Sequence, residues 1–143
     1  MEIYLLSLIF QYASPKQALD KARDVLTGVP LSTPSLEKVL QHLERYEQKE
    51  SIFSPKDFVS FIPSELHIPF DTSYLSTITE FPDDSHFMDE IEKTAKQIKS
   101  HAVHKKLAKI AEMLKDAEIR HDESKVREYE LEFDKFSRLL PKS

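Results

Sequence analysis

Two pairs of residues have the types and spacing that metal or acid–base chemistry needs. His101 and His104 stand at i and i+3, so both imidazoles can reach one ion on the surface of a helix. A third ligand at a workable distance is missing, because Glu90 and Glu112 fall too far along the same helix. His121-Asp122 sets an imidazole beside a carboxylate at a polar turn, His121-Asp122-Glu123-Ser124. An Asp in that setting serves most simply as the N-cap of the helix that follows. Carboxylates are plentiful, but nothing in the sequence draws two of them into a pocket that would move their proton affinities. Lys93, Lys96, Lys99, Lys105, Lys106 and Lys109 alternate opposite the local apolar stripe, as a solvated helix face does. No catalytic constellation emerges.

Composition removes further classes. The chain has no Cys, which excludes disulfides, thiolate nucleophiles and Cys-based zinc sites and agrees with a reducing, cytoplasmic setting. A single glycine, Gly28, excludes the P-loop and the dinucleotide fingerprint, since both need several glycines for backbone to approach phosphate. It also leaves tight hairpin turns unsupplied, which favours an all-helical fold over a sheet. The formal net charge of −5 argues against a large direct contact with nucleic acid. With 40% hydrophobic residues the chain can build a core. The apolar opening Ile3–Phe10 is too short to span a bilayer and is preceded by Glu2 rather than a cation, so it reads as a buried first helix.

The elements that would carry these residues are marked by Ser/Thr-Pro pairs. Ser14-Pro15, Thr33-Pro34 and Ser54-Pro55 each put a capping oxygen before a proline at the first helical position, and Gln17 completes a capping box with Ser14. Helical periodicity follows each pair: Ala18, Leu19, Ala22 and Val25-Leu26, ended by Gly28; then Leu36, Val39, Leu40, Leu43 and Tyr46; then Phe58, Val59, Phe61 and Ile62, stopped by Pro63. Pro69 and Pro82 fragment the next stretch, with one small helix expected around Tyr74, Leu75 and Ile78. About six helices are expected before a final hairpin.

From Asp83 to Leu140 there is no Gly or Pro. The pattern predicts a long helix over about 85–121, a turn, and a second helix running back beside it. Phe87, Ile91, Ala95, Ile98 and Ala102 share one face of the long helix. Val103, Leu107, Ile110, Ala111, Leu114 and Ala117 share another, rotated by roughly 140°. Such a helix packs against two bodies, a bundle over 1–100 and a hairpin over 101–143, and bends most easily near Ser100–Val103. The expected hairpin core is Leu107, Ile110 and Leu114 against Val126, Tyr129, Phe133, Phe136 and Leu140. Ile119 and Leu131 fall off both stripes and are expected to form a partner-facing patch near the free end. Arg120, Asp122, Arg127, Lys135 and Arg138 complete the candidate partner surface.

The opening Tyr4-Leu5-Leu6-Ser7-Leu8-Ile9-Phe10-Gln11-Tyr12 resembles the first helix of the C-terminal helicase-binding domain of bacterial DNA primase. The ending resembles that domain's hairpin through Leu107, Ile110, Leu114, Lys115, Ala117, Glu118, Asp122, Glu130, Glu132, Phe133, Phe136 and Leu139-Leu140. The resemblance implies an all-α bundle joined through one long helix to a hairpin that docks on the N-terminal domains of the hexameric replicative helicase. It implies a non-catalytic, cytoplasmic module of the primosome, monomeric alone and without a cofactor of its own. The parent polypeptide, a nucleotidyltransferase, would carry its zinc and magnesium in domains N-terminal to this one, with Met1 standing inside a longer chain. Some family members also bind the acidic tail of single-stranded DNA-binding protein near basic residues of the bundle, but here no Lys or Arg precedes Lys16.

Two other readings compete with this one. The N-terminal domain of the replicative helicase resembles the primase domain in fold and would self-associate through its hairpins, so a solution mass separates them. An HD-type metal-dependent phosphohydrolase would use His101, His121 and Asp122.

Overall fold

The computed structural model describes residues 1–48 and 51–140. Among these residues all regular structure is helical and no strand occurs. The order is α1 (Glu2–Gln11), α2 (Pro15–Leu26), α3 (Pro34–Arg45), α4 (Pro55–Phe61), a short 3-10 turn (Ser64–Leu66), α5 (His67–Tyr74), α6 (Asp84–Ile119) and α7 (Glu123–Ser137). The chain divides into two compact units, Met1–Ile98 and a second beginning at Lys99, and α6 contributes residues to both.

In the first unit α1 is the central element. Leu5, Leu6, Ser7, Leu8, Ile9 and Phe10 are all buried, and six consecutive positions cover the full circumference of a helix. The one polar member is satisfied: Ser7 Oγ donates to the Ser73 carbonyl at 2.6 Å, so it carries no unpaired-group penalty. Around Phe10 lies an aromatic cluster, with Phe70 at 4.8 Å, Phe58 at 5.4 Å and Phe53 at 5.8 Å between ring centroids. Rings this large dominate the burial energy of a small core. Truncating the fully buried Phe58 would cost about 3–5 kcal/mol.

The three prolines stand at helix starts as the sequence predicts, but the capping oxygens behave differently. Only Ser54 accepts from its helix, from Asp57 N at 3.3 Å. Ser14 and Thr33 make no side-chain cap bond, so the Ser14–Gln17 capping box does not form. The entrance to α3 is closed instead from α1: Glu2 accepts from Ser32 N, Ser32 Oγ and Thr33 N at 2.7, 2.9 and 3.0 Å. A carboxylate at a helix N-terminus also meets the positive end of the helix dipole. Burial opposes the charge on Glu2, and the hydrogen bonds from Thr33 and Ser32 outweigh it, holding its carboxyl below the ordinary glutamate value.

One expectation about short elements needs correction. No helix forms around Tyr74, Leu75 and Ile78. Tyr74 closes α5, and Leu75 is 75% exposed beyond it. Pro69 lies inside the first turn of α5, where a missing N–H costs nothing because that donor has no partner within the helix. The stretch is divided into short elements, as its prolines predict, with Pro69 at the start of one of them.

In the second unit Val103, Leu107, Ile110 and Ala117 of α6 are buried. Ala111, expected on the same stripe, is exposed, since it lies about 80° round the helix from Val103, at the stripe's margin. In α7 no side chain is buried; Val126, Tyr129, Phe136 and Leu140 are half-buried.

Candidate partner-binding surface on the hairpin

The reversal between α6 and α7 is built by residues that spacing alone placed near chemistry. His121 adopts φ 55, its N–H bonds the Glu118 carbonyl at 3.2 Å, and the Asp122 N–H bonds the Ala117 carbonyl at 3.0 Å. This pair of bonds is the Schellman termination, with the left-handed residue just past the helix end. Asp122 then caps α7, its carboxylate accepting from Lys125 N at 3.2 Å. His121 closes one helix and Asp122 opens the next. His101 lies back along α6, separated from its end by about 27 Å of helix, so His101, His121 and Asp122 do not converge as the phosphohydrolase reading requires. Among the described residues no three His, Asp or Glu side chains gather as a metal site.

Beyond the turn, α7 runs antiparallel to α6. Lys106 and Phe136, equidistant in sequence from His121, meet with the ammonium 5.6 Å from the ring centroid, a cation–π contact. Around the turn Val126 and Tyr129 face the buried side of α6, and Phe136 and Leu140 extend the seam. Leu107 and Ile110 are buried members of that seam and Leu114 is half-buried. Phe133, expected at its centre, is 39% exposed. By helical angle it lies within the stripe of Val126, Tyr129, Phe136 and Leu140, so its angle does not explain its exposure.

Ile119 and Leu131 are each 68% exposed. By the 100° step of a helix, each lies roughly opposite the seam on its own helix. They therefore project from the two outer faces of the hairpin rather than forming one flat patch. Arg120 pairs with Asp116 at 3.2 Å and Arg138 with Asp134 at 2.7 Å. Arg127 is exposed beside Glu123, Val126 and Glu130 in a shallow depression, and Lys135 is exposed. A second depression at the turn alternates in sign, with Asp116, Arg120, Asp122 and Lys125 along it. Such pairs are solvated and contribute little to stability.

Sequence reasoning missed a charged network with substantial burial, in the first unit. Arg23 of α2 makes a bidentate pair with Glu37 of α3 at 2.6 and 2.8 Å, and its Nε donates to Glu44 at 2.7 Å. Glu37 also accepts from Leu31 N at 3.0 Å and Gln41 Nε2 at 3.2 Å. Burial opposes the charge on Glu37, but Arg23 and the Leu31 N–H outweigh it, so its carboxyl lies below the ordinary glutamate value. The available signal was Glu37 on the apolar face beside Leu36 and Leu40, a position where a carboxylate needs a partner. The network ties α2, the loop at Leu31 and α3 together; it is structural.

Comparison with known protein families, curated proteins and solved structures returns no match. No helix among the described residues is long and apolar enough to cross a membrane.

Proposed function

We propose that this chain is a non-catalytic docking module, of the kind that attaches bacterial DNA primase to the N-terminal domains of the hexameric replicative helicase. On this reading it couples primer synthesis to the moving fork from a cytoplasmic primosome. Its hairpin makes the contact, and zinc and magnesium belong to other domains of the parent enzyme. The observation that carries the proposal is the pair of exposed aliphatic side chains, Ile119 and Leu131, on a hairpin whose seam uses neither. The sequence resemblance supplies the partner. Because the two residues project from opposite outer faces, the helicase grips the end of the hairpin from both sides.

Calorimetry against the helicase of the same organism tests this. Ile119→Ser and Leu131→Ser should each weaken binding by about 1–2 kcal/mol, roughly five- to thirtyfold. Their effects should add in the double variant, with helix content unchanged. Parent-like binding by both single variants would remove the proposal.

A further inference from the structure

The outer face of α5 carries two apolar side chains that the first unit does not use. Ile68 is 78% exposed, and Leu75, just past the helix end, is 75% exposed. Leu75 still continues the helical path, its N–H donating to the Asp71 carbonyl at 2.9 Å. Asp71 and Thr72 are the other exposed residues of α5. At the helical step these four side chains fall within an arc of about 100°. Ile68 and Leu75 stand at i and i+7, about 10 Å apart along the axis, with Thr72 between them. The opposite side of α5 faces the core, where Phe70 and Ser73 are buried. A lone exposed aliphatic is ordinary, but two aligned on one helix face form the kind of stripe that a second helix covers.

The stripe is bordered by negative charge. Between Lys56 and Lys93 the sequence has nine carboxylates and no Lys or Arg. The net charge of the whole chain is only −5, so the remainder is net positive and the acid is concentrated here. Asp71 flanks the stripe on α5 itself, about 40° from Leu75 and 60° from Ile68. Glu65 stands three residues before Ile68, in the 3-10 turn. Both carboxylates are exposed, and no Lys or Arg pairs with either among the described residues. The neighbouring α1, which packs against α5, contains no cation.

Charge and geometry together select the occupant. A second copy meeting this face about a two-fold axis would set Asp71 against Asp71. An anionic lipid surface or a nucleic acid would meet the same repulsion. An extended peptide gains its main-chain hydrogen bonds at a strand edge, and no strand occurs among the described residues. A helix satisfies its own backbone and can lay residues at i, i+3, i+4 and i+7 along the stripe. We infer that the Ile68–Leu75 face of α5 is a docking site for an amphipathic helix of another protein, one whose apolar stripe is bordered by Lys or Arg. The inference is independent of the helicase reading, since it lies in the first unit and uses neither Ile119 nor Leu131.

Fluorescence anisotropy on the full chain tests it with three labelled peptides, each about five turns of helix long. The first has Leu at i, i+3, i+4 and i+7 spacing and Lys elsewhere. The second has the same composition with its Leu residues scattered round the helix, and the third has Glu in place of every Lys. The first should bind at least about tenfold more tightly than either of the others. Ile68→Ser with Leu75→Ser should abolish that preference, with helix content retained because both sites are exposed. Asp71→Lys should weaken it as well, and gives the same answer should the double variant lose helix. Ile119→Ser with Leu131→Ser should leave it unchanged, which separates this face from the hairpin. Equal binding of the first two peptides, tighter binding of the Glu peptide, or parent-like binding by the Ile68 and Leu75 double variant would each overturn the inference. So would a dimer of the free chain that this double variant abolishes, since a second copy would then cover the face.

Discussion

His121 holds a left-handed backbone without being glycine, and that conformation costs an L-residue about 1–2 kcal/mol. Glycine adopts it freely, so His121→Gly should stabilise the hairpin by about 0.5–1 kcal/mol after the greater chain entropy of its unfolded state. Urea denaturation followed on the hairpin's amides would read this, and a loss of stability would mean that the imidazole does more than close α6. For Glu37 the arithmetic runs with pH. Its carboxyl is held below the usual value in the folded chain, so its stabilisation is present above the unfolded value and is lost as pH falls through the folded one. Glu37→Gln should cost about 2 kcal/mol at neutral pH, by breaking a part-buried, multiply bonded ion pair. The gap from the parent should shrink as acid protonates Glu37, and a pH-independent gap would sink the assignment. Phe133→Ala, on a partly exposed ring, should cost only about 1 kcal/mol, while Ile110→Ala, wholly buried, should cost about 2–4 kcal/mol. Equal costs in denaturant titrations would place Phe133 in the seam after all.

At the scale of elements, helix starts were legible because proline at the first helical position satisfies a local rule that needs nothing from the rest of the chain. The cap of α3 was not legible, because its acceptor is Glu2, contributed from α1. The change of face along α6 was legible from spacing: Ile91, Ala95 and Ile98 are buried in one unit, Val103, Leu107 and Ile110 in the other. The two units should differ in local stability. The first surrounds α1 with buried side chains, while α7 buries none. Amide exchange should therefore be faster throughout α7 than in α1 or α3, through openings that leave the first unit folded. Uniform protection across both units would show that they open as one.

For the whole molecule, the all-helical architecture followed from a shortage of glycine and from helical periodicity, properties distributed along the entire chain. The candidate surface was only half legible. Periodicity identified Ile119 and Leu131 as surplus to the seam, but their separation on two outer faces depends on how α7 turns back at His121 and Asp122. The same turn explains why a His-Asp pair that resembles a metal motif is occupied with backbone. The thin seam also has a calorimetric consequence. Heat capacity of unfolding scales with the apolar surface released, and α7 has little to release. The hairpin should melt with a small heat-capacity step and a broad, low-enthalpy transition, leaving its stability curve nearly flat with temperature. If the hairpin docks as proposed, burial of Ile119 and Leu131 would add a negative heat-capacity change on association.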